Sequence, residues 1–246
     1  MSGFSSGLSE AYSYRELRVS QSDSLTVVLG PCTNLAGALL KLPWARGQEL
    51  LLVGLDGVEK EKLKKEYPET AVFASDEIGD YAPEKKYKSV NICCCALGMI
   101  HPRPIDWDTD LREARRDLAV LDKLLQSFSH ARMHVIFVCS VLALSVNSKG
   151  RSGYYAGWKN ILAKVVQAKV EAVPENRFSV LYPGRLTQKR SILNPVSLMY
   201  SSYPSVAGKL AKIIIKGESR RRIIGYDGRI WLLMRGVATG MSAMRI

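Results

Sequence analysis

The sequence predicts an α/β fold in which one doubly wound parallel sheet carries helices on both faces. Three observations predict it. From residue 25 onward, short apolar runs alternate with segments of helical pattern. These apolar runs are continuous, as is typical of strands that are buried on both faces. The first run ends in Gly30-Pro31, and no repeat, linker or low-complexity segment divides the chain, so a single layered domain is expected.

The strand-like runs are short and rich in branched aliphatic residues, which is typical of buried strands. In chain order they are Leu25–Leu29, Glu49–Val53, Ala71–Ala74, Val90–Leu97, Val135–Ser140, Phe178–Tyr182 and a last stretch around Arg222–Tyr226.

Helix-like segments occupy the intervals between these runs. They are a small-residue helix that begins near Asn34, then Val58–Tyr67, Asp108–Phe128, Tyr154–Val173 and Ser205–Lys216. In the third of these, apolar residues recur at helical spacing, which predicts an amphipathic helix. The alternation predicts one Rossmann-type domain over residues 24–228, with a loosely structured lead-in (1–23) and a basic and apolar C-terminal extension (229–246). Ligands in such sheets bind at the carboxyl ends of the strands.

Composition indicates a soluble globular protein. Of the 246 residues, 47% are hydrophobic and 24% are charged, which is ordinary for this class. The longest apolar stretches, near Val135–Leu144 and Ile230–Met234, are shorter than the roughly 20 residues that a membrane span needs. The polar start Met1–Gly7 lacks the charged-then-apolar order of a secretion signal, so a cytoplasmic location is expected.

The cysteines predict neither a metal site nor a disulfide framework. Cys93, Cys94 and Cys95 are consecutive within a strand-like run, and successive strand side chains face opposite sides. They therefore cannot converge on one metal ion, whereas free cysteine packs well as a small apolar residue. The three histidines, at positions 101, 130 and 134, supply no ligand pattern either.

The net charge of +12 is concentrated near the C-terminus. Residues 209–246 contain nine Lys or Arg against Glu218 and Asp227, a net charge of +7. This basic and apolar segment could make peripheral contact with an anionic membrane surface. Packing on the sheet edge or on a neighbouring subunit is the favoured alternative. Nucleic-acid binding is not expected, because no groove-reading motif accompanies the charge.

The most informative pair is Tyr155 and Lys159, four residues apart on a predicted helix. One helical turn places a phenol and an ammonium on the same face. A nearby cation stabilises a phenolate and lowers the pKa of the tyrosine from about 10. Such a tyrosine could exchange a proton with a carbonyl or an alcohol. Taken alone, the same spacing arises often by chance.

Further residues around this pair complete a recognisable order. Ser140 ends the fifth strand-like run, and Pro183-Gly184 follows the sixth. The order resembles the short-chain dehydrogenase/reductase family from Leu25 to about Gly228. The resemblance implies that Tyr155 is the general acid/base, that Lys159 lowers its pKa and binds the nicotinamide ribose, and that Ser140 polarises the substrate carbonyl, with Ser145 as a rival.

The resemblance also implies which residues contact the nicotinamide of the cofactor. Pro183 and Gly184 would bring backbone close to the nicotinamide ring, and Thr187 matches the hydroxyl that binds its carboxamide. Asp117 falls near the position of the catalytic asparagine of the family, so the proton relay that this asparagine supports would be altered.

The nucleotide end departs from the family pattern. Gly30 keeps the tight turn after the first strand, Asn34 replaces the middle glycine, Leu35 follows it, and Ala36 takes the third glycine position beside Gly37. The resemblance also implies that Asp56 contacts the ribose hydroxyls and that Asp76 lies near the adenine. Ala96 belongs to a run, Cys95–Gly98, that stands where the family has Asn-Asn-Ala-Gly. The cofactor is therefore expected to be NAD or NADP, with a slight lean to NAD from Asp56.

Three functions follow as alternatives. The first is an NAD(P)-dependent carbonyl reductase or alcohol dehydrogenase acting on a small molecule. The second is a protein that keeps the fold but has lost dinucleotide binding and acts as a scaffold. The third is a reductase or epimerase step on a sugar or a lipid-linked sugar. A homo-dimer or homo-tetramer is expected through the long helix Tyr154–Val173, and the segment 188–205 is predicted to be a lid over the substrate.

Overall fold

The computed structural model describes residues 23–83, 85–98, 104–144, 150–187, 200–217, 221–224, 229, 230 and 233. Within them the predicted α/β architecture is confirmed. The lead-in 1–23 and the extension 229–246 lie almost entirely outside the described residues, as does most of the segment 188–205. In the ranges that are described, no helix is both long and apolar enough to cross a membrane.

Seven of the described strands form one parallel sheet. They are β1 (Ser24–Leu29), β2 (Glu49–Gly54), β3 (Ala71–Ala74), β4 (Ser89–Cys94), β5 (Arg132–Val138), β6 (Arg177–Pro183) and β9 (Arg221–Ile224). Their order across the sheet is β3-β2-β1-β4-β5-β6-β9. After β3 the chain crosses back to place β4 beside β1, and a ligand crevice opens where the strand order reverses in this way.

Two short strands form a second ladder that the sequence did not predict. β7 (Leu186–Thr187) pairs in parallel with β8 (Ser201–Ser202). Two-residue strands are too short to show any periodicity, so their pairing cannot be read from the sequence pattern.

Five helices connect the strands. They are α1 (Asn34–Leu40), α2 (Gly57–Glu66), α3 (Trp107–Ser127), α4 (Gly150–Glu171) and α5 (Tyr203–Lys216), with short 3₁₀ turns at Pro43–Gly47, Glu77–Asp80 and Val141–Leu144. The predicted bounds are within four residues of these. α5 begins two residues early because Ser202 caps it, its side chain accepting from the backbone N–H of Ser205, and a proline occupies its first turn.

The core has two layers, one on each face of the sheet. Leu124 of α3 and Val166 of α4 pack in one layer, and Leu39 of α1 and Leu210 of α5 pack in the other. Burial of each such side chain contributes about 1.5–3 kcal/mol to the hydrophobic stabilisation. Neighbouring cysteines follow the same alternation, with Cys94 in the α3–α4 layer and Cys93 in the α1–α5 layer. The predicted opposite orientation of these thiols is confirmed.

Two strands end earlier than predicted. β4 stops at Cys94 rather than Leu97, because the backbone N–H groups of Cys95 and Ala96 both donate to the Leu29 carbonyl and the chain bends there. β5 stops at Val138 rather than Ser140. Ala96 and Ser140 consequently lie on loops at the carboxyl edge of the sheet.

Candidate active site

A cleft of about 740 Å³ lies over the carboxyl ends of the strands. It gathers loop residues that follow five of the seven strands of the main sheet. Its lining includes Gly30, Asn34, Leu35, Leu55, Glu59, Ala96, Ser140, Tyr155, Lys159, Pro183 and Gly184. A second cavity of about 470 Å³ lies at the opposite, amino edge and contains none of the predicted site residues.

The turn after β1 is fixed by backbone geometry. Gly30 has φ +69°, and a Cβ added there would lie 2.2 Å from the Ala96 Cβ. The Gly30 N–H donates to the Val53 carbonyl at 3.1 Å. Thr33 then caps α1, since its hydroxyl accepts from the Ala36 N–H at 3.3 Å. Only glycine combines a left-handed φ with this close approach between strands.

The departures from the family glycine pattern have different consequences. Ala36 is fully buried and provides the close packing of α1 on the sheet. A Cβ at Gly37 would meet nothing within 4 Å, so glycine is not required there. Asn34 is exposed and lines the cleft.

Ser140 and Tyr155 meet in the cleft. Tyr155 is only 6% exposed on α4, and its hydroxyl hydrogen-bonds to the Ser140 side chain. That bond lowers the pKa of Tyr155, but burial outweighs it and raises the pKa to about 12. The phenol is therefore neutral at physiological pH. The rival Ser145 lies outside the described residues.

The Lys159 ammonium bonds to a backbone carbonyl in the loop after β4. Its side chain is almost completely buried, and Nζ donates to the Leu97 carbonyl at 3.1 Å. Burial lowers the pKa of Lys159 to about 8, against the smaller opposing effects of Cys139 and Asp117. The Tyr155 pKa is raised overall rather than lowered, and the Lys159 ammonium is engaged by the Leu97 carbonyl in the loop after β4.

Asp117 binds the backbone of the loop that also holds Lys159. It lies buried on α3, where Oδ2 accepts from the Gly98 N–H at 2.8 Å and Oδ1 accepts from Arg116. Burial raises the pKa of Asp117, while the Gly98 and Arg116 contacts oppose this. Gly98 has φ +62°, and a Cβ there would lie 2.5 Å from Leu162 Cδ1. Asp117 thus holds the Leu97–Gly98 turn that receives Lys159, without lining the cleft itself.

Three more predicted residues do not line the cleft. Asp56 caps α2, because its Oδ1 accepts from the Glu59 N–H at 2.9 Å. Asp76 is exposed before the 3₁₀ turn at Glu77–Asp80. Thr187 pairs with Ser202 in the small ladder. By contrast, Gly184 is placed at the cleft by its N–H, which donates to the Ile224 carbonyl at 3.0 Å.

Sequence reasoning missed several cleft residues. Glu59 of α2 lines the cleft, and its Oε2 accepts from the Leu55 N–H at 2.8 Å. The spacing Asp56-x-x-Glu59 resembles a capping box, and this signal could have identified it. Arg185 also lines the cleft and lies over the Tyr200 ring, 5.1 Å from its centroid. No periodic pattern marks an isolated loop arginine of this kind.

No protein-family model matches the chain, and no curated protein does either. Solved structures do match its fold. An alcohol dehydrogenase from the archaeon Thermococcus sibiricus, complexed with 5-hydroxy-NADP, is 14% identical with a TM-score of 0.61, over 82% of this chain and 96% of that one. A short-chain dehydrogenase from Streptomyces avermitilis is 12% identical with a TM-score of 0.63, over 92% and 97% of the two chains. One from Burkholderia cenocepacia, in complex with NADP, is 16% identical with a TM-score of 0.61, over 89% and 94%.

Proposed function

We infer, from the premise that this chain has the fold of the short-chain dehydrogenases/reductases, that it is a divergent member of that family and an NAD(P)-dependent oxidoreductase. The proposed reaction transfers a hydride between a nicotinamide and a carbonyl or hydroxyl group. One observation carries the proposal: Ser140, Tyr155 and Lys159 line a single cleft together with the Gly30 turn and Pro183-Gly184.

The residues that are present fit a dinucleotide. Gly30 adds no side chain where β1 ends, and the turn there packs directly against Ala96. Asn34 is exposed at the start of α1 and lines the cleft. The cleft extends from Leu55 and Glu59 at one end to Tyr155 at the other, and its volume of about 740 Å³ is within the range of ligand sites.

Each side chain then has a definite role. The bound cofactor would supply or receive the hydride. Tyr155 holds a proton on its hydroxyl, since its pKa is about 12, and can give that proton to a carbonyl oxygen. Ser140, which hydrogen-bonds to the same hydroxyl, would donate to the substrate oxygen and orient it. For Tyr155 to act as a base, the Lys159 ammonium would have to turn from Leu97 toward the phenol.

Titration of the purified chain with NADH and NADPH, followed by nucleotide fluorescence, tests the proposal. Saturable binding of at least one dinucleotide in the micromolar range is expected. A cofactor oxidation assay with a panel of aldehydes and ketones then tests turnover. Binding of neither dinucleotide would overturn the proposed function.

A second candidate is a protein that keeps the fold without dinucleotide chemistry. The observation that favours it is the Lys159 ammonium, which is bonded to the Leu97 carbonyl instead of supporting Tyr155. The same titration separates the two candidates, because the scaffold alternative requires that neither dinucleotide binds.

The predicted homo-dimer or homo-tetramer stays a proposal, as does the cytoplasmic location. Apolar side chains of Trp107 and Leu111 on α3 and of Ile161 on α4 are exposed, which supports an interface along these two helices. Sedimentation of the wild type and of Ile161→Glu would test it, with a monomeric variant as the expected result.

Contact of the C-terminal extension with a membrane is also a proposal, and flotation with anionic liposomes tests it.

A further inference from the structure

The cavity at the amino edge of the sheet has a polar floor. On the face of the sheet that packs against α1 and α5, the rows nearer the carboxyl edge are apolar, as at Cys93 and Ile136. Side chains two residues apart on a strand lie on the same face, and toward the amino edge that face becomes polar. Neighbouring strands align Ser24, Ser89 and Arg132 in one row and Asn91, His134 and Arg177 in the next. All six residues line the cavity of about 470 Å³.

His134 is a buried member of this floor with an unpaired ring nitrogen. It is only 5% exposed, and its Nε2 lies 2.8 Å from the Ser179 hydroxyl oxygen. Its Nδ1 has no hydrogen-bond partner among the described residues. Burial, with a smaller effect of Arg177, lowers the pKa of His134 to about 4, so the ring is neutral at physiological pH. Because one nitrogen of a neutral imidazole donates and the other accepts, Nδ1 provides one further hydrogen-bonding group.

Trp44 supplies a second unpaired polar group, from outside the sheet. Its indole lines the cavity from the 3₁₀ turn at Pro43–Gly47. Within the described part of the chain, its buried Nε1 also has no partner. Buried polar groups are rarely left unpaired, because the lost hydrogen bonds to water cost free energy. Since an indole N–H can only donate, this group favours a ligand that presents an oxygen acceptor.

The charged side chains of the cavity favour an acid with a single negative charge. Cationic side chains outnumber acidic ones by one, with Lys88, Arg132 and Arg177 against Asp23 and Glu175. Lys88 pairs with Asp23 at 2.6 Å, and the Arg177 guanidinium donates to the backbone carbonyl of the residue that caps α5. The exposed Arg132 has no ion pair with any described residue, so its guanidinium can pair with a carboxylate. Glu175 would repel a second negative charge.

We propose that this cavity binds a small organic acid with one carboxylate and an apolar body. The carboxylate would accept from the Trp44 Nε1–H and pair with Arg132, while the apolar body would lie against Ile214 and Ile215 of α5. The cavity volume is within the range of small-molecule sites. Of the described residues, none lines both this cavity and the cleft, so the ligand is independent of the proposed reaction.

Acetate, hexanoate and benzoate serve as probes, with benzamide as the neutral counterpart of benzoate and inorganic phosphate at pH 8 as a dianion. Binding to the full chain is followed by calorimetric titration and by NMR of the indole N–H signals. Arg132→Gln removes the exposed cation, and Trp44→Phe removes the indole donor and assigns its signal. Arg115→Gln and Trp107→Phe are matched controls, because both residues are exposed on α3 outside the cavity. Circular dichroism checks that every variant is folded, and Arg132→Gln changes only an exposed side chain.

Hexanoate or benzoate is expected to bind with a dissociation constant below about 1 mM and to shift the Trp44 indole signal. Arg132→Gln should weaken this binding about tenfold and Trp44→Phe about fivefold, while the two controls leave it unchanged. Benzamide and phosphate should bind at least about tenfold more weakly than benzoate. Failure of all three carboxylates to bind, as for a cavity that takes up only water, would overturn the inference. So would binding that Arg132→Gln leaves unchanged, or tighter binding of phosphate.

Discussion

At the β1 end of the cleft the chain relies on backbone geometry and close packing, whereas at the α4 end it buries ionisable side chains. Gly30 and Ala36 contribute no polar group, yet each fills a position with little spare space. Tyr155 and Lys159 are 6% and 3% exposed, and burial shifts the pKa of both. Replacements at the first end should therefore change folding, and replacements at the second should change proton chemistry within an intact fold.

The largest effect is expected for Tyr155→Phe, at the α4 end of the cleft. It removes the proton donor but keeps the buried ring, so turnover should fall by at least about 100-fold while the dissociation constant of the dinucleotide stays nearly unchanged. Steady-state kinetics and fluorescence titration measure the two effects. Tyr154→Phe is the matched control, because the hydroxyl of Tyr154 bonds to Asp110 outside the cleft. A Tyr155→Phe variant that retains turnover would remove Tyr155 from the mechanism.

At the other end, Gly30→Ala should destabilise the fold. The new Cβ would meet the Ala96 Cβ at 2.2 Å, at a φ of +69°, which is expected to cost on the order of 3 kcal/mol in the free energy of unfolding. Gly37→Ala should be neutral or stabilising by up to about 1 kcal/mol, since a Cβ there meets nothing. Urea unfolding measures both. Equal stabilities for the two variants would contradict the account of the turn.

Lys159 makes stability depend on pH. Its pKa is lowered from 10.5 to about 8, so between these values the unfolded chain binds more protons than the folded one, and stability should rise with pH. Below about pH 8 the buried ammonium is charged and destabilising. Lys159→Met should be more stable than the wild type at pH 7, on the order of 1 kcal/mol after loss of the Leu97 hydrogen bond.

Thermal unfolding of the wild type and of Lys159→Met across pH 7 to 10 checks this, with a stability difference that shrinks as the pH rises. A difference that is constant with pH would mean that the lysine does not titrate in this window.

The smallest expected effect concerns Asp117. Asp117→Asn keeps the acceptor for the Gly98 N–H but removes a charge that raises the Lys159 pKa. The alkaline limb of the pH profile of kcat/KM should move to lower pH by about one unit. Asp110→Asn, on the same helix and bonded to Tyr154, should leave the profile in place. The reverse pattern in these two variants would show that Asp117 does not act through Lys159.

Much of the fold could be predicted because strand and helix periods are local properties. The parallel sheet could be expected from the alternation, but the β7–β8 ladder could not, since its strands span only two residues each. The meeting of Ser140, Tyr155 and Pro183 in one cleft followed from their positions at strand ends and on the helix between them. It required no knowledge of side-chain orientation.

The sequence did not predict which groups the side chains of the site would contact. The spacing of Tyr155 and Lys159 puts both on one helix face, but which acceptor the ammonium reaches depends on the Leu97–Gly98 turn, which belongs to another part of the chain. Asp56 was expected at the ribose, yet it caps α2, and a carboxylate one turn later reaches the cleft. The Asp56-x-x-Glu59 spacing signals the cap, but which of the two carboxylates lines the cleft depends on three-dimensional geometry.

The β7–β8 ladder has a consequence for how this protein can evolve. Parallel pairing brings Thr187 beside Ser202, within about one strand spacing of 4.8 Å. The two ends of the intervening chain are thus held close together. Doubling the length of such a closed segment costs only about 0.6 kcal/mol in loop entropy. Insertions and deletions between the two strands should therefore cost little stability, whereas the Gly30 turn admits almost no change.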